Sequence, residues 1–196
     1  MENTDKLLLV GCGILKNEIN YIISKNDWAV DTVFINSSLH VNFKALSKGL
    51  TAVLQQYSDR NTVVFYGECH PLMDKILQDH HTFRTPGQNC VEMLLGTERY
   101  MEELNNGAFF LFEDWALHWE QTIRKTFGNN QQMIKDIFHE DRKYILGIKT
   151  PCSGEFELQA MDVAKEVDLP LRWNSVSLEH LESVLLNTFY RKTEDR

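Results

Sequence analysis

Residues 6–15, KLLLVGCGIL, set four consecutive apolar residues against a Gly11-Cys12-Gly13 turn, after which Ile14 and Leu15 resume the apolar pattern. A short apolar run, a glycine turn and a helix-period stretch form one strand–turn–helix unit. The arrangement returns at 62–77, TVVFYGECHPLMDKIL, where a β-branched and aromatic run ends in Gly67-Glu68-Cys69-His70 and Pro71 suits a first helical turn. A third cysteine stands at 85–96, TPGQNCVEMLLG, between a Pro-Gly turn and another helical pattern.

The alternation extends along the chain. Ile14, Ile19, Ile22 and Ile23 fall near helical spacing after the first strand. The strand-like DTVFINSS (31–38) precedes a helical stripe of Phe43, Leu46, Leu50 and Leu54. GAFFLFE (107–113) precedes DWALHWEQTIRKTFG (114–128), and KYILGIK (143–149) precedes EFELQAMDVAKEV (155–167). LPLRWNSV (169–176) leads into a last helix, SLEHLESVLLNTFYRK (177–192), and the polar stretch from Asn129 to Arg142 reads as a further short helix. Strands alternating with helices predict an α/β fold: a three-layer, open, mostly parallel and Rossmann-like sheet of about five or six strands, with helices on both faces. No linker interrupts the pattern, so a single domain over 1–190 is expected, with a frayed tail over 191–196.

Composition narrows the function. With 28 acidic against 20 basic residues the net charge is −8, which argues against a phosphate-neutralising, nucleic-acid-binding surface. No apolar stretch is long enough to span a bilayer, and the acid-bearing start does not read as a signal peptide. Four cysteines without an export signal predict reduced thiols in a cytoplasm.

In open α/β sheets, ligands bind beyond the carboxyl ends of the strands. Cys12 is predicted there after the first strand, Ser38-Leu39-His40 after the second and Glu68-Cys69-His70 after the third, with Cys152 after KYILGIK. Cys12, Cys69 and Cys90 could serve together as soft ligands to Zn²⁺ or an iron centre. Gly11, Gly13 and Gly67 are the candidate cofactor-binding positions, giving access to the sulfurs; the alternative is that each cysteine merely fills a close approach of strand and helix, as the flanking glycines suggest. If Asn89 caps the helix that follows, its N-terminal amides are expected to lower the Cys90 pKa, aided by Arg84. His40 is a candidate ligand or proton carrier, and Glu68 a candidate general acid or base. A GxGxxG fingerprint fails because position 16 is Lys16, and no GxxxxGK[ST] is present. Trp115, Trp119 and Phe127 are spaced as a core helix face.

Taken together, CGIL, LH, YGEC, RTPGQNCVEMLLG and GAFFLFEDW resemble, in order and over nearly the whole chain, the uncharacterised family known as domain of unknown function 1638. The resemblance makes Cys12, Cys69 and Cys90 the motif cysteines, with His40 and Arg84 accompanying them. It implies a setting in anaerobic one-carbon metabolism, beside corrinoid-dependent methyl transfer. The chain departs from the family pattern at Asn42-Phe43 and at His70, and Gln88 stands where a histidine or another polar residue is expected, which leaves a fourth ligand undefined.

Three functions follow as expectations. The first is a zinc or iron protein whose three thiolates leave a position open to a small-molecule substrate or a corrinoid-bearing partner protein. In it Cys12, Cys69 and Cys90 are ligands, and His40, Glu68 and Arg84 assist. The second is a carrier for a corrinoid, tetrapyrrole or iron–sulfur group, and the third a thiol redox enzyme in which Cys90 attacks.

Overall fold

The computed structural model describes residues 6–128 and 130–194. Their contacts gather into two compact units: one comprises the residues up to Leu94 and those from Leu178 onward, the other Leu95–Ser177.

The first unit contains β1 (Leu7–Cys12), α1 (Lys16–Lys25), β2 (Val30–Ile35), α2 (Phe43–Gln56), β3 (Thr62–Phe65), α3 (Met73–Asp79) and α4 (Cys90–Leu95). The second contains α5 (Thr97–Asn105), β4 (Ala108–Leu111), α6 (Glu113–Leu117), α7 (Trp119–Phe127), α8 (Gln131–Asp141), β5 (Tyr144–Lys149), α9 (Glu157–Val167) and β6 (Leu171–Ser175). The chain then returns to the first unit as α10 (Glu179–Glu194). The tail expected from residue 191 is thus helical as far as Glu194, and 195–196 lie outside the described residues, as does Asn129.

The α/β class holds, and every described strand pairs in parallel. The six strands divide between two three-stranded sheets, β2-β1-β3 and β4-β5-β6. In the first, β1 is central: Leu8, Leu9 and Val10 are almost wholly buried, as continuous apolar runs in two-sided parallel sheets must be. Each such side chain contributes about 1.5–3 kcal/mol of burial. The right-handed rule for parallel crossovers puts the β1–β2 and β2–β3 connections, which run in opposite directions along the sheet, over opposite faces. In keeping with this, α1 packs with α10, and α2 with α3. A short segment extends the β3 edge, where Val64 pairs with Arg84 in parallel. Its bonds are Phe83 O to Val64 N at 3.0 Å and Val64 O to Thr85 N at 2.8 Å.

In the second unit, Trp119 belongs to a core with Leu111, Ile134, Phe138 and Ile145, and Trp115 and Phe127 pack against it. These aromatics are at the core as expected, but on two helices rather than one face: Trp115 on α6, Trp119 and Phe127 on α7. No helix among the described residues is long and apolar enough to cross a membrane.

Candidate thiol site

The order β2-β1-β3 places a topological switch point at the carboxyl ends of β1 and β3, because the chain leaves β1 in one direction and later crosses to its other side. Crevices at such points are where open α/β sheets hold ligands. Cys12 is the last residue of β1, and Tyr66, Gly67, Glu68 and Cys69 follow β3 directly. Cys90 begins α4.

Gly67 is what lets the third cysteine approach. A Cβ at this position would lie 2.1 Å from Gln88 O and 2.6 Å from Asn89 Cα, so only glycine admits the 88–89 backbone. The contact is fixed by Glu68 N donating to Gln88 O at 2.7 Å. Gly11 and Gly13 are also close-approach positions: an added Cβ would stand 3.2 Å from Phe65 Cβ at the first and 3.1 Å from Ile35 O at the second.

Asn89 caps α4 as expected, its Oδ1 accepting from Val91 N and Glu92 N at 3.0 Å. Glu92 reaches back to accept from Gln88 N at 2.6 Å, a variant of the reciprocal capping box. The loop before the cap is held by Arg84, whose guanidinium donates to Gly87 O at 3.0 Å. Arg84 also pairs with Asp74 at 2.8 Å and Glu68 at 3.3 Å. The guanidinium is mostly buried, whereas the Glu68 side chain is 65% exposed and so stands mainly in water. His40 lies on the 3₁₀ turn that follows β2, with Nδ1 2.5 Å from Ser37 O. His70 Nδ1 accepts from Leu72 N at 3.0 Å, and its ring meets Phe43 edge-on. Cys152, in the turn after β5, belongs to the second unit, and its N–H donates to Thr150 Oγ1.

The three motif thiols converge. Cys12 and Cys69 both lie near enough to Cys90 to oppose its ionisation, and all three act on the Tyr66 hydroxyl. Burial is the first cause that raises the Cys90 thiol well above its ordinary pKa; repulsion from Cys12 and Cys69 adds to it. The N–H groups of Cys90 and Val91 pull the other way and are outweighed. The lowered Cys90 pKa expected from the helix terminus is therefore corrected, because desolvation in this pocket exceeds the pull of a one-and-a-half-turn helix. Burial likewise pushes Cys69 up, offset in part by the backbone at Gly67 and by Arg84.

Tyr66 was not among the residues expected at the site, because an aromatic ending a β-branched run reads as core. It is 2% exposed. Its Oη is buried and makes no hydrogen bond of proper geometry among the described residues, although the Cys12 thiol lies beside it as a candidate partner. Burial, then Cys12 and Cys69, raise the phenol pKa far above its usual value.

All four cysteines are free thiols. Among the described residues, no group of three His, Cys, Asp or Glu side chains is placed so that it could hold a metal ion.

Residues 34–185 match the family model described as protein of unknown function (DUF1638), and the chain belongs to that family. The matched span contains Cys69 and Cys90 and begins after Cys12. No curated protein matches the chain.

Proposed function

We propose that this member of the DUF1638 family binds a thiophilic metal ion, zinc or iron, through Cys12, Cys69 and Cys90 at the switch point of its first sheet. The observation that supports the reading is the placement of Cys12 at the end of β1, Cys69 after β3 and Cys90 at the start of α4, near enough to influence one another's ionisation and that of the buried Tyr66. Buried thiols stay protonated unless a positive charge compensates them. Arg84 acts on Cys69 and is itself engaged by Asp74 and Glu68. A divalent ion would supply the missing charge, with the thiol protons released to solvent as it binds. Three protein ligands would leave one position open, and an ion so held supplies Lewis-acid activation of a thiol or of a methylated donor. The setting implied by the family resemblance makes a small methyl donor or a corrinoid-bearing partner protein the occupant of choice.

The chain's own residues would have defined tasks. Gly67 brings the 88–90 backbone against the end of β3, and Arg84 holds the loop that carries Cys90. A redox role with Cys90 as attacking thiol is less favoured, since attack needs the thiolate and burial opposes it.

Anoxic purification followed by metal analysis tests the proposal. One zinc or iron per chain is expected in the native protein and none in the triple Cys12→Ser, Cys69→Ser, Cys90→Ser variant. Equal metal content in the two proteins would refute the assignment.

A further inference from the structure

Asn174 is the last residue but one of β6, at the carboxyl end of the second sheet, and more than nine-tenths of it is buried. Strand alternation puts it on the same face as Arg172, whose row runs through Leu146 to Phe110. Helix α5 covers this face, with Tyr100 stacked on Phe110 at a centroid distance of 5.5 Å. Late in α5, Glu103 accepts from Tyr144 Oη at the start of β5. In its first turn, the Arg99 guanidinium donates to Asn174 Oδ1 near the end of β6. The start of α5 therefore lies at the carboxyl ends of the strands, where open α/β sheets hold ligands.

A guanidinium can only donate, so the bond from Arg99 fixes which end of the Asn174 amide is oxygen. The other end, Nδ2, is a buried donor with no acceptor among the described residues. Buried polar groups in this state are uncommon and call for a specific partner. Two neighbouring features want a partner of the same kind. Helix α5 starts from Gly96, so no side chain caps the positive end of its dipole. The Arg99 guanidinium is matched by no carboxylate among the described residues, and Asn174 is its recorded partner.

We propose that the start of α5 and the carboxyl end of β6 form a site for an oxyanion, a phosphate or carboxylate group, received by Asn174 Nδ2, the Arg99 guanidinium and the first amides of α5. All three contribute donors, and an oxyanion offers several acceptor oxygens and a charge to match. The site lies wholly within the second unit and does not rest on the reading of the thiols. With a net charge of −8 the chain repels small anions in general, so saturable uptake of one requires a built site.

Calorimetric titration of the full chain with inorganic phosphate, and separately with acetate, at constant ionic strength tests the proposal. The native protein is expected to take up one anion per chain, and the tighter of the two titrations tells phosphate from carboxylate. Asn174→Asp keeps an acceptor for Arg99 but replaces the free donor by a negative charge, and should weaken binding by about 10-fold or more. Arg99 is exposed, so Arg99→Gln removes the guanidinium without touching the core. It should weaken the same anion by about 10-fold as well, and it decides the matter should Asn174→Asp fail to fold. A native protein that binds neither anion would overturn the proposal. Undiminished affinity in either folded variant would also overturn it, because the anion would then be held elsewhere.

Discussion

At the scale of single residues, the shape of the site depends on Gly67 more than on any cysteine. A cysteine can be exchanged for serine with little change of shape, but an added methyl at Gly67 would overlap the backbone of Gln88 and Asn89. That backbone also accepts the Glu68 N–H, so it cannot retreat without breaking a bond. Gly67→Ala is expected to destabilise the chain by about 3 kcal/mol, at the upper end of ordinary single substitutions. In urea unfolding this would appear as a lower midpoint at unchanged slope. A midpoint equal to that of the native protein would show that the contact is relaxed in solution. The glycine itself was legible in the sequence, because a glycine that ends a β-branched run marks a close approach. What it approaches was not, because the 87–89 loop comes twenty residues later and only the fold brings it there. Tyr66 escaped notice for a related reason: its ring is ordinary core, and only its hydroxyl is out of the ordinary.

At the scale of elements, some helix starts are set by local chemistry that reads directly from the chain. The α4 cap shows it: Asn89 caps the helix as expected, while Glu92, three residues on, accepts from Gln88 N rather than from the cap's own N–H. The effect of that helix on Cys90 was not legible, since it depends on how much water the surrounding elements exclude. The attachment of α10 is another tertiary fact. Glu182 accepts from Lys25 Nζ at 2.9 Å and from Asn26 Nδ2 at 2.8 Å, tying α10 to the end of α1. Hydrogen bonding from Lys25, then from Asn26, holds the Glu182 carboxyl below its ordinary pKa. A carboxyl depressed in the folded state lends stability above its unfolded pKa, and that stability is lost as pH falls through the folded value. The native protein should therefore lose more stability than Glu182→Gln between about pH 7 and about pH 3. The pair is partly exposed, so the difference will be small and will shrink in high salt. Parallel pH profiles for the two proteins would show that the contact contributes nothing.

At the scale of the whole molecule, the chain builds most of one unit, then a second, and closes the first with its last helix. The alternation of strand and helix gave the α/β class and the number of strands. The division into two sheets was hidden because no run of Gly, Pro or Ser marks Leu95 or Ser177 as a boundary. The strand order matters most for function. With β1 between β2 and β3, the carboxyl ends carrying Cys12 and Cys69 are neighbours at the switch point, which a sequence can suggest but not establish. The central claim is that this switch point holds a metal whose ligands are sulfur. X-ray absorption at the zinc or iron edge of anoxically purified protein tests it most directly. The account predicts three sulfur scatterers at about 2.3 Å with one lighter atom completing the shell. A first shell of oxygen and nitrogen alone, or protein without stoichiometric metal, would contradict it.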